Sequence, residues 1–172
     1  LWEILGDNMK KILLLLTTLF LFSGCSETKA ELQPQPKLLV NNSLQGVVFK
    51  DQYEKPHAIT SETKKVVFAF SKGIGHACND FFATKDTKFL EQNKALFVAD
   101  VSAAPSLIRS MFIIPGLQDF RHTILVIEDE AISSNYKIDD MSEKLVVVSL
   151  DNFVITDIVS LESVNDLENH LQ

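Results

Sequence analysis

Apolar residues are spaced along this chain in two alternating ways. Short blocks rich in Val, Ile and Phe occupy residues 65–71 (KVVFAFS), 95–101 (ALFVADV), 123–127 (TILVI), 145–150 (LVVVSL) and 153–158 (FVITDI). Their β-branched and aromatic content predicts strands, and the lack of strict alternation in 65–71 suits a central strand covered on both faces. Residues 44–50 form a further short apolar strand, followed by a turn over 51–56. Between the blocks the spacing becomes helical. After Gly73-Ile74-Gly75, read as a breaker, residues 76–92 place Phe81, Phe82, Phe89 and Leu90 on one face. Pro105 suits the first turn of a helix reaching Phe112, in which Leu107, Ile108, Met111 and Phe112 cluster before Pro115-Gly116 stops it. Residues 129–136 are a short helix or loop. The 145–158 region reads as a hairpin about Asp151-Asn152, whose residues tolerate the left-handed backbone of a tight turn. A last helix begins at Ser163 with Asp166 in capping-box position and Val164, Leu167 and Leu171 as its stripe. The predicted order is β, βα, βα, βα, ββα. That order calls for an α/β domain, a mixed sheet flanked by helices with a C-terminal hairpin and helix. There are no internal repeats.

The first 43 residues follow neither pattern. Met9-Lys10-Lys11 is a positively charged start, residues 12–22 form an eleven-residue apolar region, and Ser23-Gly24-Cys25 closes the run with small residues. About 20 residues are needed to span a bilayer, so this is a signal peptide over residues 9–24 rather than a membrane helix. Residues 1–8 carry Trp2, make no motif, and read as an over-called start. Residues 25–43, with Pro34 and Pro36, read as a flexible tether; the apolar run 38–40 leaves open that its end packs against the domain, whose boundary is set at residues 44–172. Phe22-Ser23-Gly24-Cys25 resembles the lipobox of bacterial lipoproteins. That resemblance implies that Cys25 is the first mature residue, is lipidated by a diacylglyceryl thioether and an N-acyl chain such as palmitate, and holds the protein durably at a membrane. Ser26, where inner-membrane retention would use Asp, implies the periplasmic face of the outer membrane.

With 172 residues the chain has enough material for one core and hardly two. Its net charge of −7 and the lack of any run of more than two basic residues argue against a nucleic-acid partner, which requires clustered Lys and Arg. The partners left are the membrane, through the lipid on Cys25, and an envelope protein that the sequence does not name. Only two cysteines are present. Once Cys25 is acylated Cys78 stands alone, and no internal disulfide can form even where disulfides persist.

The β-α order, the opening GVVFKDQYEKP (46–56) and the later EKLVVVSLDNFVI (143–155) resemble the thioredoxin-like superfamily in its peroxiredoxin or TlpA-like form. In that family a cysteine thiolate sits at the start of the helix after the central strand, where free N–H groups lower its pKa. Laying VVFAFSKGIGHAC on the family pattern puts Gly75 at the nucleophile position and Cys78 at the resolving position. The family's cis-proline falls near Glu143, where there is none, and the Pro-x-x-x-Thr-x-x-Cys of peroxiredoxins is absent. The resemblance therefore implies the fold without its dithiol chemistry: no catalytic residue beyond Cys78 as a weak candidate, no cofactor, and Cys78 as a buried thiol filling space against the sheet. The competing reading is a thiol-redox or copper- or zinc-handling protein. His76, Cys78, Asp80 and His122 are its candidate ligands, soft sulfur and imidazole suiting such metals, as in the copper-carrying Sco branch of the superfamily. His57 and His170 are expected to face solvent. Gly73-x-Gly75 lacks the rest of a phosphate loop, the acidic runs 128–130 and 139–140 lack a calcium loop's alternating oxygens, and no Gly-x-Ser-x-Gly elbow is present.

Overall fold

A computed structural model describes residues 37–172. The expected start, signal peptide, lipidated Cys25 and most of the tether lie outside the described residues. Seven strands form one sheet: β1 (Val48–Asp51), β2 (Pro56–Ala58), β3 (Lys65–Ala69), β4 (Ala95–Asp100), β5 (Leu125–Ile127), β6 (Leu145–Asp151) and β7 (Val154–Leu161). Their order is β2-β1-β5-β4-β3-β6-β7. The central β3 runs parallel to β4 and antiparallel to β6, while β5 continues parallel to β4. Hairpins close both edges, β1 with β2 and β6 with β7.

Side chains alternate across a strand, so each inner strand feeds two cores. Val66 and Phe68 of β3 and Val146 and Val148 of β6 point to one face, whereas Val67, Ala69, Leu145 and Val147 point to the other. This is why the central blocks show no polar alternation. The first face is covered by Leu38, Leu44 and Tyr136. On the second lie helices α1 (Lys72–Ala83), α2 (Phe89–Gln92), α3 (residues 106–118) and α5 (Leu167–Leu171), through Cys78, Phe82, Leu90, Leu117, Leu167 and Leu171. A short α4 (Glu130–Ser134) follows β5, capped by Asp129, whose Oδ1 accepts from the Ala131 and Ile132 N–H groups.

Five local readings differ from the sequence expectation. Residues 38–43 are not free tether: Leu38 is fully buried, and the Asn41 N–H and the Asn42 carbonyl both bond to Ile155. Gly73-Ile74-Gly75 is not a breaker, because α1 already runs through it. The helical stretch 76–92 is interrupted by a turn at 84–88, leaving α2 as a separate piece. Pro115 does not end the third helix. Ser106–Ile108, a π turn at Arg109–Ile113 and Ile114–Gln118 run on as one helix, α3. A proline ring clashes with the carbonyl four residues earlier in an α-helix. The wider turn, in which the Ile114 N–H bonds the Arg109 carbonyl, lets the chain continue past that point. The β6–β7 turn also sits one residue later than expected, on Asn152 (φ 44°) and Phe153 (φ 71°).

A parallel β3-α1-β4 unit, an antiparallel β6–β7 hairpin beside the same central strand, and a closing helix make this a thioredoxin-like mixed α/β fold. The expectation from sequence holds at that level.

Candidate functional site

The sequence resemblance directs attention to the free end of α1, which follows the central strand. Ser71 is its N-cap, in extended conformation (φ −124°, ψ 157°), with Oγ 3.5 Å from the Ile74 nitrogen. Lys72 is the first helical residue. The Gly75 N–H is already spent inside the helix, on the Ser71 carbonyl at 2.9 Å. Gly75 therefore does not stand at the helix start, where the sequence expectation put it. The groups at the N–H end are Ser71, Lys72 and Gly73, and Gly75 lies one turn inside. The physical reason is the cap. A serine hydroxyl supplies an acceptor for an orphan N–H and starts a helix even ahead of two glycines.

Cys78 is in the second turn of α1 with no exposed surface, packed in the same core as Val67, Phe82, Phe97 and Leu145. Burial pushes its thiol up to about 12. The reactive form of cysteine is the thiolate, so at neutral pH this sulfur is a protonated, enclosed apolar group. Where the thiol clamp of the family would lie, Glu143 is exposed in the turn leading into β6.

The other candidate ligands occupy separate surroundings. His76 is exposed on α1, as is Asp80. His122 is 5% exposed, among the rings of Phe82, Phe97 and Phe120 at centroid distances of 5.5, 6.3 and 5.4 Å. Its Nε2 is 3.0 Å from Oδ1 of the buried Asn79. With that oxygen accepting, Nε2 carries the proton. Burial pushes the imidazole down to about 4, which keeps it neutral. Gln52, also buried, fixes the chain around it: its Nε2 donates to the His122 carbonyl and its Oε1 accepts from the Ile124 N–H. Among the described residues no three His, Cys, Asp or Glu side chains converge on a point that could hold a metal ion. His76, Cys78 and His122 are thus divided between solvent, the apolar core and an aromatic cage.

Sequence reasoning missed two features. Asn79 is the buried partner of His122, and nothing in a single sequence couples residues 43 apart. His57, expected to face solvent, is instead half-buried, with Nε2 2.8 Å from Oδ2 of the buried Asp51 across the β1–β2 hairpin. His57 also borders a cleft of about 290 Å³ together with Thr60, Thr63, Leu90, Phe97 and Thr123. The cleft lies at the first residues of the parallel β4 and β5, the end of the sheet opposite the start of α1. His170 is likewise half-buried, on α5.

No family model and no curated protein matches the chain. Solved structures resemble it over most of its length. The peroxidoxin BcpB from Mycobacterium tuberculosis is 16% identical with a TM-score of 0.47, covering 77% of this chain and 92% of that one. The mitochondrial 2-Cys peroxiredoxin from Plasmodium falciparum is 12% identical with a TM-score of 0.48, over 77% and 92%. The thio-disulfide isomerase from Thermus thermophilus is 14% identical with a TM-score of 0.48, over 78% and 95%. The fold assignment itself rests on the strand order and directions above: the chain has a thioredoxin-like fold whose single described cysteine is unpaired and buried.

Proposed function

We propose that this chain is a lipid-anchored protein of a bacterial cell envelope whose thioredoxin-like domain is a non-catalytic accessory or interaction module. The anchor is Cys25 at the end of the signal peptide over residues 9–24, at the periplasmic face of the outer membrane. The support for it is the spacing of charge, apolar run and small residues in the sequence. The observation that carries the non-catalytic part is the Cys78 sulfur, which has no exposed surface and no partner cysteine, while Ser71 and Lys72 occupy the helix start where a thiolate would be activated.

Two assays test the reading separately. Purified chain is offered insulin with a dithiol reductant, and peroxide, beside its Cys78→Ala variant. Both are expected to turn over at the blank rate, and any turnover lost on substitution overturns the non-catalytic reading. The mass of chain made in a bacterial host, with and without Cys25→Ala, tests the anchor. An acylated residue 25 is expected at the new N-terminus, and an unprocessed chain overturns it.

A further inference from the structure

One surface is out of keeping with the rest of this acidic protein. On α3, Leu107 is 64% exposed, Ile108 43%, Met111 57% and Phe112 64%. The two i, i+4 pairs put them on one stripe, while Ile113, Ile114 and Leu117 of the same helix pack on the core. From residue 101 to residue 118 the only charged side chain is Arg109. It is turned away from the stripe: Nη1 donates to the Ser102 carbonyl at 3.1 Å and to the Ala104 carbonyl, and Nε lies 3.7 Å from Glu128. A chain that is 23% charged with net charge −7 thus presents, along two helical turns, a stripe of four apolar side chains that carries no charge. Such a face has nothing to offer an ionic partner and matches a neutral, apolar one. Monomeric surfaces seldom leave contiguous apolar patches unless something docks there.

We propose that this face of α3 docks into the interfacial layer of the bilayer that carries the lipid on Cys25, so that the domain lies on the membrane instead of swinging free. The proposal rests on the lipid-anchor reading above. Lys37 lies twelve residues along the chain from Cys25, enough when extended to reach about 40 Å. The described chain begins beside α4, where the Lys37 N–H bonds the Asn135 carbonyl, and Glu128, just before α4, contacts Arg109 of α3. The five residues of α4 span about 8 Å, well within the reach of the tether. An anchored domain meets its own membrane at high effective concentration, so a contact made by four apolar side chains needs little intrinsic affinity.

Tryptophan occurs only at position 2, so the chain from Cys25 onward has none and a single one can be introduced. A chain made from Cys25 onward without the signal peptide, so that its Cys25 thiol stays free, and carrying Phe112→Trp is coupled through that thiol to maleimide-bearing phosphatidylethanolamine in phosphatidylcholine vesicles. A second chain carries Val154→Trp, on the β7 edge of the sheet. Docking predicts blue-shifted emission at position 112 and quenching by bromine-labelled lipid about threefold stronger than at position 154. Adding Leu107→Glu and Met111→Glu, both at exposed positions, abolishes the difference. Equal quenching at the two positions overturns the proposal, as does loss of the difference through dimerisation seen by sedimentation, which would assign the stripe to a second copy of this chain. Because the coupling is chemical, failure here is distinct from failure of the anchor, which shows as an unacylated Cys25 in cell-made protein.

Discussion

Cys78 behaves as a small apolar side chain, and its energetics follow from its surroundings. Cys78→Ser places a hydroxyl among the apolar side chains of Val67, Phe82 and Phe97. Burying such a group unpaired costs about 1–3 kcal/mol, so urea melts should show a loss of that size, larger than for Cys78→Ala. His122 gives a second residue-scale prediction. Its ring is neutral in the fold because burial holds it down to about 4, against an ordinary value near 6.5. As pH falls from about 6.5 to about 4 the unfolded chain takes up a proton that the folded chain does not, so stability declines through that window. His122→Gln should flatten the stability-versus-pH curve there. The decline below about 3.8 should remain, because it belongs to Asp51 and Asp100. Burial opposes ionisation of Asp100, but hydrogen bonds from Ser133, Ser102 and Lys137 outweigh it. For Asp51 burial is likewise outweighed by His57, Lys55 and Tyr53. Both carboxyls sit below their ordinary range, so their contribution is present above it and lost on protonation. Neither the His122–Asn79 pair nor the Asp51–His57 pair was legible in the sequence, since each is made by folding distant or opposed positions together.

At the scale of elements, α1 shows where sequence reasoning ran out. Gly73 and Gly75 are poor helix formers and read as a bend, yet Ser71 caps the helix ahead of them and tertiary packing of Cys78 and Phe82 holds it. Neither glycine has a positive φ, and a Cβ added at either meets nothing within 4 Å. Gly75→Ala should therefore raise stability by about 0.4–1 kcal/mol in thermal or urea unfolding. A destabilised variant would mean the glycine is held in a backbone shape that alanine cannot take. The strands were legible because both sheet faces are covered, which forces continuous Val, Ile and Phe blocks. Helix α3 was half legible: its start at Pro105 was foreseen, but Pro115 reads as a stop unless a π turn is known to absorb it.

For the whole molecule, the order of elements could be read from the chain, and it fixes the sheet because parallel β-α-β crossovers and a terminal hairpin leave few arrangements. Function was less legible, because it depends on what stands at one helix end and how deeply one sulfur lies. A thioredoxin-like scaffold keeps its core when its reactive cysteines are gone, since the core is built from both sheet faces and not from the thiol. Among the described residues no helix is long and apolar enough to cross a membrane; the attachment proposed above runs through the segment ahead of the domain and the outer face of α3. The domain without its anchor should fold alone: a chain from residue 37 onward is expected to unfold in a single urea transition. An early step that exposes Phe153 or Ile155 would show that the preceding residues are part of its core.

The account turns on Cys78 being sealed and protonated. Native chain with Cys25 replaced by serine is alkylated with iodoacetamide from pH 6 to pH 9, alongside the same chain in urea and with copper and zinc measured in the starting material. A thiol pushed up to about 12 and enclosed should label in the native state far more slowly than in urea, with a rate still climbing at pH 9 and no stoichiometric metal. Rapid native labelling that levels off near neutral pH, or one equivalent of bound copper or zinc, would contradict it.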